Sequence, residues 1–350
     1  MIVKLDPRWD GPHGIGRFAR ETTNDAAFIP MHIAGRPMAP QDPVRLAIAL
    51  RAAPQDAVFF SPGYNAPLFA RQAFVFTVHD LNHIDRSENS SALKRLYYRG
   101  LLRPACHRAA AVLTVSHFSK QRLMDWAGLR AEQVFNVGNG VDAAFSPCGP
   151  SHEPGFPYLL IVGNRKGHKN ERRAVAAFAQ AAIDPAVHLL FTGLPSADLL
   201  ACLAQHGVAQ RAHFAGHVHE RDLPALYRGA TALLFPSLYE GFGLPVVEAF
   251  ACGVPVITSN TTSLPEVAGK AALLVDPLSV EEMVQAIGRV VTDESLRATL
   301  RERGLARAEL FQWPLVARRV QAVLQAVAAG QRAGSAGWPV REANFSESPL

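Results

Sequence analysis

Residues 233–259 read LLFPSLYEGFGLPVVEAFACGVPVITS, and the reading of this stretch decides the fold. An apolar run, ALLFPS at 232–237, has the length and composition of a buried strand. It gives way to a short loop, YEGFG, in which Gly241 and Gly243 let the backbone approach a ligand closely. A helix is predicted to begin near Pro245, a residue suited to a first helical position, and to end before Gly253. VPVITS (254–259) then follows as a second apolar strand. Strand, loop, helix and strand in this order make the βαβ unit of a parallel sheet. Free N–H groups at a helix start receive phosphate or hydroxyl oxygens. Two carboxylates flank the turn: Glu240 in the loop, and Glu248 about one turn into the helix. Carboxylates suit sugar hydroxyls, which donate to them, better than they suit a diphosphate. The plain alternative is a capped helix with solvated glutamates.

Working outward, the same alternation recurs on the N-terminal side. IVKL (2–5), VFF (58–60), FVFTV (74–78), AVLTV (111–115), YLLIVG (158–163) and HLLFTG (188–193) are short apolar runs separated by longer amphipathic segments. That pattern reads as βαβ units. The stretch SPCGPSHEPGFP (146–157) has four prolines, two glycines and no apolar period, which marks a linker. The expected organisation is an α/β domain at 1–145, a linker at 146–157 and a second α/β domain at 158–310. A long helix at 311–330, ending at a glycine, and a disordered tail at 331–350 complete it.

The bulk numbers agree with a globular chain. Of 350 residues, 49% are hydrophobic and 19% charged, enough for two sizeable cores. The N-terminus places Lys4, Asp6 and Asp10 where a secretory leader would be apolar. No apolar run reaches the ~18 residues of a spanning helix. Cys106, Cys148, Cys202 and Cys252 form no C-x-x-C pair, so neither disulfide framework nor zinc site is indicated, and a cytoplasmic location is expected. The charge is one-sided: residues 1–150 carry 17 Lys and Arg against 12 Asp and Glu, and residues 151–350 carry 18 of each. That excess can attract an anionic membrane face, a phosphate-bearing acceptor or nucleic acid, or be an ordinary solvated surface.

A second segment, YLLIVGNRKGHKNERRAVAAFAQA (158–181), reads as strand, glycine loop and helix, with Arg165, Lys166, His168 and Lys169 crowding the turn. A cationic loop at a helix start suits a diphosphate leaving group; a basic surface turn is the alternative. In the N-terminal half, DPRWDGPHGIGRFARE (6–21) places Gly11, Gly14 and Gly16 before a helix. The spacing G-x-x-G-x-G is not that of a dinucleotide site, and no acidic residue closes a second strand some 20 residues on. FVFTVHDLNHID (74–85) ends its strand at His79 and Asp80, where ligands collect in open α/β sheets. SPGY (61–64) holds Tyr64 at another strand end and reads as a turn or as part of an acceptor pocket. KRLYYRGLLRPACHR (94–108) is basic and aromatic. It fits a helix packed by its aromatic face, or a surface that meets an anionic membrane. Pro104 is expected to interrupt it.

EGFGLPVVE followed by AFACGVPVI resembles the signature of glycosyltransferase family 4, group 1, retaining enzymes of the GT-B fold. The resemblance covers roughly residues 11–325 and is strongest over 158–277. It implies two Rossmann-like domains with parallel sheets facing across a cleft. It also implies a metal-independent transfer of a hexose from a nucleotide-diphospho-sugar to a glycan or lipid-linked acceptor in surface polysaccharide synthesis. By this resemblance Glu240 lies against the donor sugar, Glu248 bonds the nucleotide ribose, and the Gly241, Phe242 and Gly243 amides meet sugar hydroxyls, with Leu244 beside them. Lys169 is the diphosphate lysine and Arg165 its partner. Many relatives carry an arginine directly after Gly163, where this chain has Asn164. Ser263 and Leu264 lie near the leaving diphosphate; Glu266 is a helix cap or a contact. Gly14 and Gly16 approach the donor phosphates, and His79 faces the transferred sugar. Asp80 and Tyr64 are the acceptor-side candidates. The HKN loop and VHDLNHID look most like bacterial mannosyltransferases, which points to GDP-mannose as co-substrate, with UDP- or another sugar the alternative. No cofactor or metal is expected. Peripheral contact with the inner membrane face is possible for the basic half, and nucleic acid is not the expected partner. The rival is a non-catalytic sugar-nucleotide or nucleic-acid binding protein on the same scaffold.

Overall fold

A computed structural model describes residues 1–86, 90–331, 342, 343 and 345. The chain forms two compact units. The first takes in Met1–Gly140 and Trp313–Asn344, and the second Val141–Gln312 and Phe345–Leu350.

In the first unit six strands form one parallel sheet: β1 (Val3–Leu5), β2 (Phe28–Pro30), β3 (Val58–Ser61), β4 (Phe74–Thr77), β5 (Ala111–Thr114) and β6 (Val134–Asn136), in the order β2-β1-β3-β4-β5-β6. β3, β4 and β5 are buried throughout, which is why they read as unbroken apolar runs. The C-terminal helix Trp313–Ala328 belongs to this unit. It buries Val316, Val320, Val323 and Leu324, a 3.6-residue stripe, and lies against the helix Gly14–Thr22.

The second unit repeats the plan with β7 (Tyr158–Ile161), β8 (His188–Phe191), β9 (Ala212–Phe214), β10 (Ala232–Phe235), β11 (Val256–Ser259) and β12 (Leu273–Val275), all parallel, in the order β12-β11-β10-β7-β8-β9. The helix Leu244–Ala251 joins β10 to β11, as the spacing predicts. Residues 146–157 carry no helix or strand. They are held to the second unit by His152 N–H donating to Ala225 O at 2.9 Å and by Arg228, whose guanidinium reaches Pro150 O at 2.8 Å and Ser146 O at 3.2 Å.

The edge strands β2, β6, β9 and β12 are absent from the sequence reading. Each has only three residues, and three of the four are partly exposed, too short a signal to set them apart from loops. Pro30 in β2 costs nothing in a ladder at an edge position. The interruption expected at Pro104 is a π-turn just before it. An α-turn at Ala92–Tyr97 passes through a π-helical turn at Tyr98–Leu102 into Arg103–Arg108, with Pro104 in the first turn of the last piece. The wider turn absorbs the missing N–H. One face of this element packs inward through Tyr98, Leu102, Ala105 and Cys106, while Leu93 and Leu96 stand 64% and 67% exposed. Most of the tail expected at 331–350 lies outside the described residues. Where it is described it is held: Ala343 N–H donates to Asn136 O at 2.8 Å in the first unit, and Phe345 is buried on Phe311 in the second. Among the described residues, no helix is long and apolar enough to cross a membrane.

Candidate active site

The second sheet runs outward in both directions from the β7–β10 pair. Ligands of open α/β sheets bind outside the carboxyl ends of the strands at such a reversal. The loops leaving β7 and β10 hold the residues singled out in the sequence. Lys169 closes the short 3₁₀ turn Gly167–Lys169. Its Nζ donates to Glu240 Oε1 at 2.7 Å and stands 4.8 Å over the Phe235 ring. Both side chains of the pair are 14% exposed. The loops are stitched beneath the pair. Asn170, left-handed at φ +60, donates through Nδ2 to Pro236 O at 3.0 Å and Pro277 O at 2.7 Å. Leu238 N–H donates to His168 O at 2.7 Å.

The helix start after Glu240 is shaped by one glycine. Gly243 caps Leu244–Ala251 at φ +108, and a Cβ there would lie 2.7 Å from Leu264 Cδ2. Ser263 Oγ donates to Glu240 O at 3.0 Å and to Phe242 O at 2.9 Å, and Glu240 N–H reaches Thr262 Oγ1 at 3.3 Å. The Gly241–Gly243 turn is therefore held from the next loop along. The Phe242 ring is buried against Phe311 and Phe345. Glu248 is buried and accepts a hydrogen bond from Tyr227 Oη at 2.7 Å. Glu266 opens the helix Leu264–Ala268, and its carbonyl accepts from Arg307 Nη2 at 2.5 Å.

After β7, Gly163 N–H donates to Thr192 Oγ1 at 3.2 Å and Asn164 is exposed. Arg165, left-handed at φ +60, turns its guanidinium toward β8. It donates to Leu194 O at 3.1 Å, to Thr192 O and to Glu171, and lies over the Phe191 and Phe214 rings at 5.3 and 5.8 Å. Burial lowers the Arg165 pKa and raises that of Glu171, against their mutual attraction. Among the described residues, no three His, Cys, Asp or Glu side chains gather as a metal would require.

In the first unit His79 follows β4 and is buried. Its Nε2 lies 2.8 Å from Pro62 O, and its ring stands edge-on to Phe18 at 5.0 Å. A carbonyl only accepts, so Nε2 carries the proton and Nδ1 is left as acceptor. Burial brings the imidazole down to about 4, with the Pro62 bond opposing and His13 adding a little; the ring is neutral near pH 7. Tyr64 and Asp80 form a pair beside it: Asp80 N–H donates to Tyr64 Oη at 3.0 Å, and Tyr64 Oη donates to Asp80 Oδ1 at 3.2 Å. Burial, then Asp80, raises the Tyr64 phenol well above its usual value. Gly14 opens the helix Gly14–Thr22, and His13 caps it by accepting from Gly16 N–H at 2.8 Å. A Cβ on Gly16 would sit 2.1 Å from Gly11 O, so two loop backbones touch there. Sequence reasoning missed Tyr227, Asn170, Glu171 and His13. Only Asn170 carries a signal, the KN pair, and there the lysine drew the attention.

Comparison with known proteins settles the family. The model for glycosyl transferases group 1 matches residues 150–307, and that for glycosyltransferase family 4 matches residues 5–145. The O-antigen chain mannosyltransferase B of Escherichia coli is 31% identical over 285 residues, 77% of this chain and 74% of that protein. This chain belongs to glycosyltransferase family 4, group 1. A serotype-specific mannosyltransferase, WbdA of Escherichia coli, is 27% identical over 223 residues, 59% of this chain but 27% of that longer protein. Anabaena HepE, solved in complex with UDP, superposes with a TM-score of 0.76 at 17% identity, covering 93% of this chain and 100% of that one. This glycosyltransferase therefore has the GT-B architecture, two parallel six-stranded sheets flanked by helices.

Proposed function

We propose that the chain is a retaining, metal-independent hexosyltransferase that moves mannose from GDP-mannose to a glycan on a lipid carrier in surface polysaccharide synthesis. The observation that carries this reading is the Lys169–Glu240 pair at 2.7 Å, set at the switch point of the second sheet beside the Gly243 helix start. One site thus offers a cation for a departing diphosphate, a carboxylate for sugar hydroxyls and helix-start amides for either. Glu240 positions the sugar, and no residue is assigned as covalent nucleophile. Lys169 and the helix-start amides take the charge of the leaving group where a metal would otherwise act. Glu248 binds the ribose, with Tyr227 fixing its carboxylate, and Ser263 and Leu264 shape the diphosphate side. His79 meets the transferred sugar through Nδ1 as a neutral acceptor, while Asp80 and Tyr64 line the acceptor side. Mannose is supported by the two mannosyltransferase relatives.

His79→Ala is expected to abolish transfer while calorimetric affinity for GDP persists. Unchanged turnover would remove His79 from the mechanism, and lost GDP binding with intact fold would assign it to donor binding in place of the transfer step. Lys169→Ala should weaken GDP binding by about 2 kcal/mol, the worth of a charge-assisted hydrogen bond. A thermal-shift screen of GDP-, UDP- and ADP-sugars tests the donor, since a ligand stabilises in proportion to its affinity.

For a lipid-linked acceptor, the supporting surface is the helix Ala92–Tyr97 and its continuation. Exposed Leu93 and Leu96 flank an apolar cavity of about 510 Å³, also lined by Met38, Tyr97 and Leu101. Lys94, Arg95 and Arg99 stand exposed on the same element. Apolar side chains beside cations match an anionic bilayer surface. The chain should co-float with phosphatidylglycerol vesicles and not with phosphatidylcholine. Leu93→Glu with Leu96→Glu should end that without changing transfer to a water-soluble acceptor. Equal recovery with both vesicle types would sink the membrane assignment.

A further inference from the structure

Glu171 has no role in the reading above, yet it is 8% exposed, directly under the donor loop, in an ion pair with Arg165. Burying such a pair costs both partners their hydration, and a buried pair is weak evidence for stability. Burial works against the charge of both members, lowering the Arg165 pKa and raising that of Glu171. What sets the pair apart is the geometry it enforces.

That geometry is specific. The carboxylate sits over Gly163, where a Cβ would lie 2.8 Å from Glu171 Oε1, with Lys169 Cγ and Cβ at 3.4 and 3.6 Å from the same point. Glu171, Gly163 and Lys169 are thus one packed cluster, and the glycine makes room for the carboxylate. On its other side the same carboxylate holds Arg165, which bonds Thr192 O and Leu194 O at the mouth of β8. One side chain thereby ties the loop after β7, the loop after β8 and the first turn of the helix Glu171–Gln180. The rings of Phe191 and Phe214 pack on the face of the guanidinium.

We propose that Glu171 and Arg165 are positioning residues of the donor site. Glu171 anchors Arg165 against the carbonyls that end β8, and this brace sets the Gly163–Asn170 loop so that Lys169 meets the nucleoside diphosphate. Diphosphate contact is left to Lys169. The proposal rests on the donor reading of this unit and refines it.

Two carboxylate variants and one arginine variant test it, with inorganic pyrophosphate, GDP and UDP as calorimetric probes and donor KM and kcat as kinetic readouts. Glu171→Ala should raise donor KM and weaken GDP or UDP binding about tenfold, with kcat within about twofold. Glu171→Gln keeps an oxygen acceptor for Arg165 and should recover most of the loss. Arg165→Lys should behave like Glu171→Ala, because a compact ammonium lacks the planar fork that spans these partners and stacks on Phe191 and Phe214. The opposite result for Glu171→Ala is the decisive one. If Arg165 contacts the diphosphate itself, removing its carboxylate partner releases a cation, and pyrophosphate then binds more tightly. Tighter or unchanged binding overturns the proposal while leaving the donor site intact. If the parent chain binds neither GDP nor UDP, the donor reading falls, and this proposal with it. Should Glu171→Ala fail to fold, the Glu171→Gln and Arg165→Lys pair still separates the outcomes: both near parental values refute the brace.

Discussion

Gly243→Ala isolates the backbone geometry on which the donor site is built. Gly243 sits at φ +108, ψ 51 as the cap of Leu244–Ala251. An L-residue in the left-handed region costs about 1–2 kcal/mol. The added methyl would meet Leu264 Cδ2 at 2.7 Å, and Leu264 is fully buried, so it has little freedom to retreat. Overpacking of this kind costs about 1–3 kcal/mol. Together the substitution should destabilise the second unit by about 3 kcal/mol, a fall of roughly 6–12 °C in melting temperature for a unit of this size. The relevant control is Gly288→Ala, also in the second unit, which lies inside the helix Val280–Thr292 with nothing within 4 Å of its added Cβ. There alanine should leave stability unchanged or raise it by about 0.5–1 kcal/mol. The assay is differential scanning calorimetry of both variants, followed by GDP titration of whatever remains folded. Gly243→Ala should bind GDP at least tenfold more weakly, because the shifted turn carries Glu240 with it. A Gly243→Ala protein melting within about 1 °C of the parent, with parental GDP affinity, would refute the argument that this turn requires a glycine.

Two further outcomes follow from the same geometry. Tyr227→Phe removes the donor to Glu248 and should cost about 1–2 kcal/mol of stability and raise donor KM several-fold; an unchanged KM would separate Glu248 from the ribose. His79 gives a pH signature. Its folded value near 4 lies below the unfolded value of about 6.5, so between the two the unfolded chain binds the extra proton. The contribution to stability is complete above about pH 6.5 and is lost as pH falls toward 4, by an amount on the order of 3 kcal/mol. Urea midpoints at pH 4.5, 5.5 and 7 should show this slope in the parent and lose it in His79→Asn, and equal slopes would show that His79 is not the buried neutral group.

How much of this was legible in the sequence depends on what each signal measures. The central strands announced themselves because β3, β4, β5, β7, β10 and β11 are buried on both faces and read as unbroken apolar runs. The edge strands stayed silent because half-covered strands such as AHF at 212–214 carry polar residues like any loop. The interruption expected at Pro104 takes the form of a π-turn between two short α-helices, which a local rule for proline does not specify. Lys169, Glu240 and the glycine turn, singled out as residue types at short spacings, are brought together at the ends of β7 and β10. Their supports were not legible. Tyr227 lies 21 residues from Glu248 and Asn170 lies 107 from Pro277; such contacts are set by sheet order, which no local pattern encodes. Arg165 shows the same limit: its carbonyl partners, Thr192 O and Leu194 O, become neighbours only once β8 pairs with β7.

A further regularity explains why such loops hold their shape. The strands end on small buried polar residues: Ser61 in β3, Thr77 in β4, Thr114 in β5, Asn136 in β6 and Ser259 in β11, with Thr192 just past β8. In an apolar core a hydroxyl without a partner is costly, so these residues need a reason. Most have one in the loops that leave the same edge. Thr114 Oγ1 donates to Val78 O at 2.8 Å, just before His79, and Ser61 Oγ reaches Gly63 O at 3.2 Å, in the loop that carries Tyr64. In the second unit Thr258 Oγ1 donates to Phe235 O at 2.9 Å, Ser259 Oγ to Ser237 O at 2.7 Å, and Thr192 Oγ1 receives Gly163 N–H at 3.2 Å. Each bond fixes the first residues after a strand, the positions from which His79, Tyr64, Glu240 and Lys169 are launched. The proposed transfer, in which amides and a lysine take the leaving charge, calls for groups aimed in advance, since dipoles that must reorient during reaction lose most of their effect. The alternation of apolar run and terminal Ser, Thr or Asn thus marks the carboxyl edge as the working edge in both sheets, and it follows that Thr258→Val and Ser259→Ala should loosen the Glu240 loop while leaving β11 in place, with donor KM rising ahead of any loss in melting temperature.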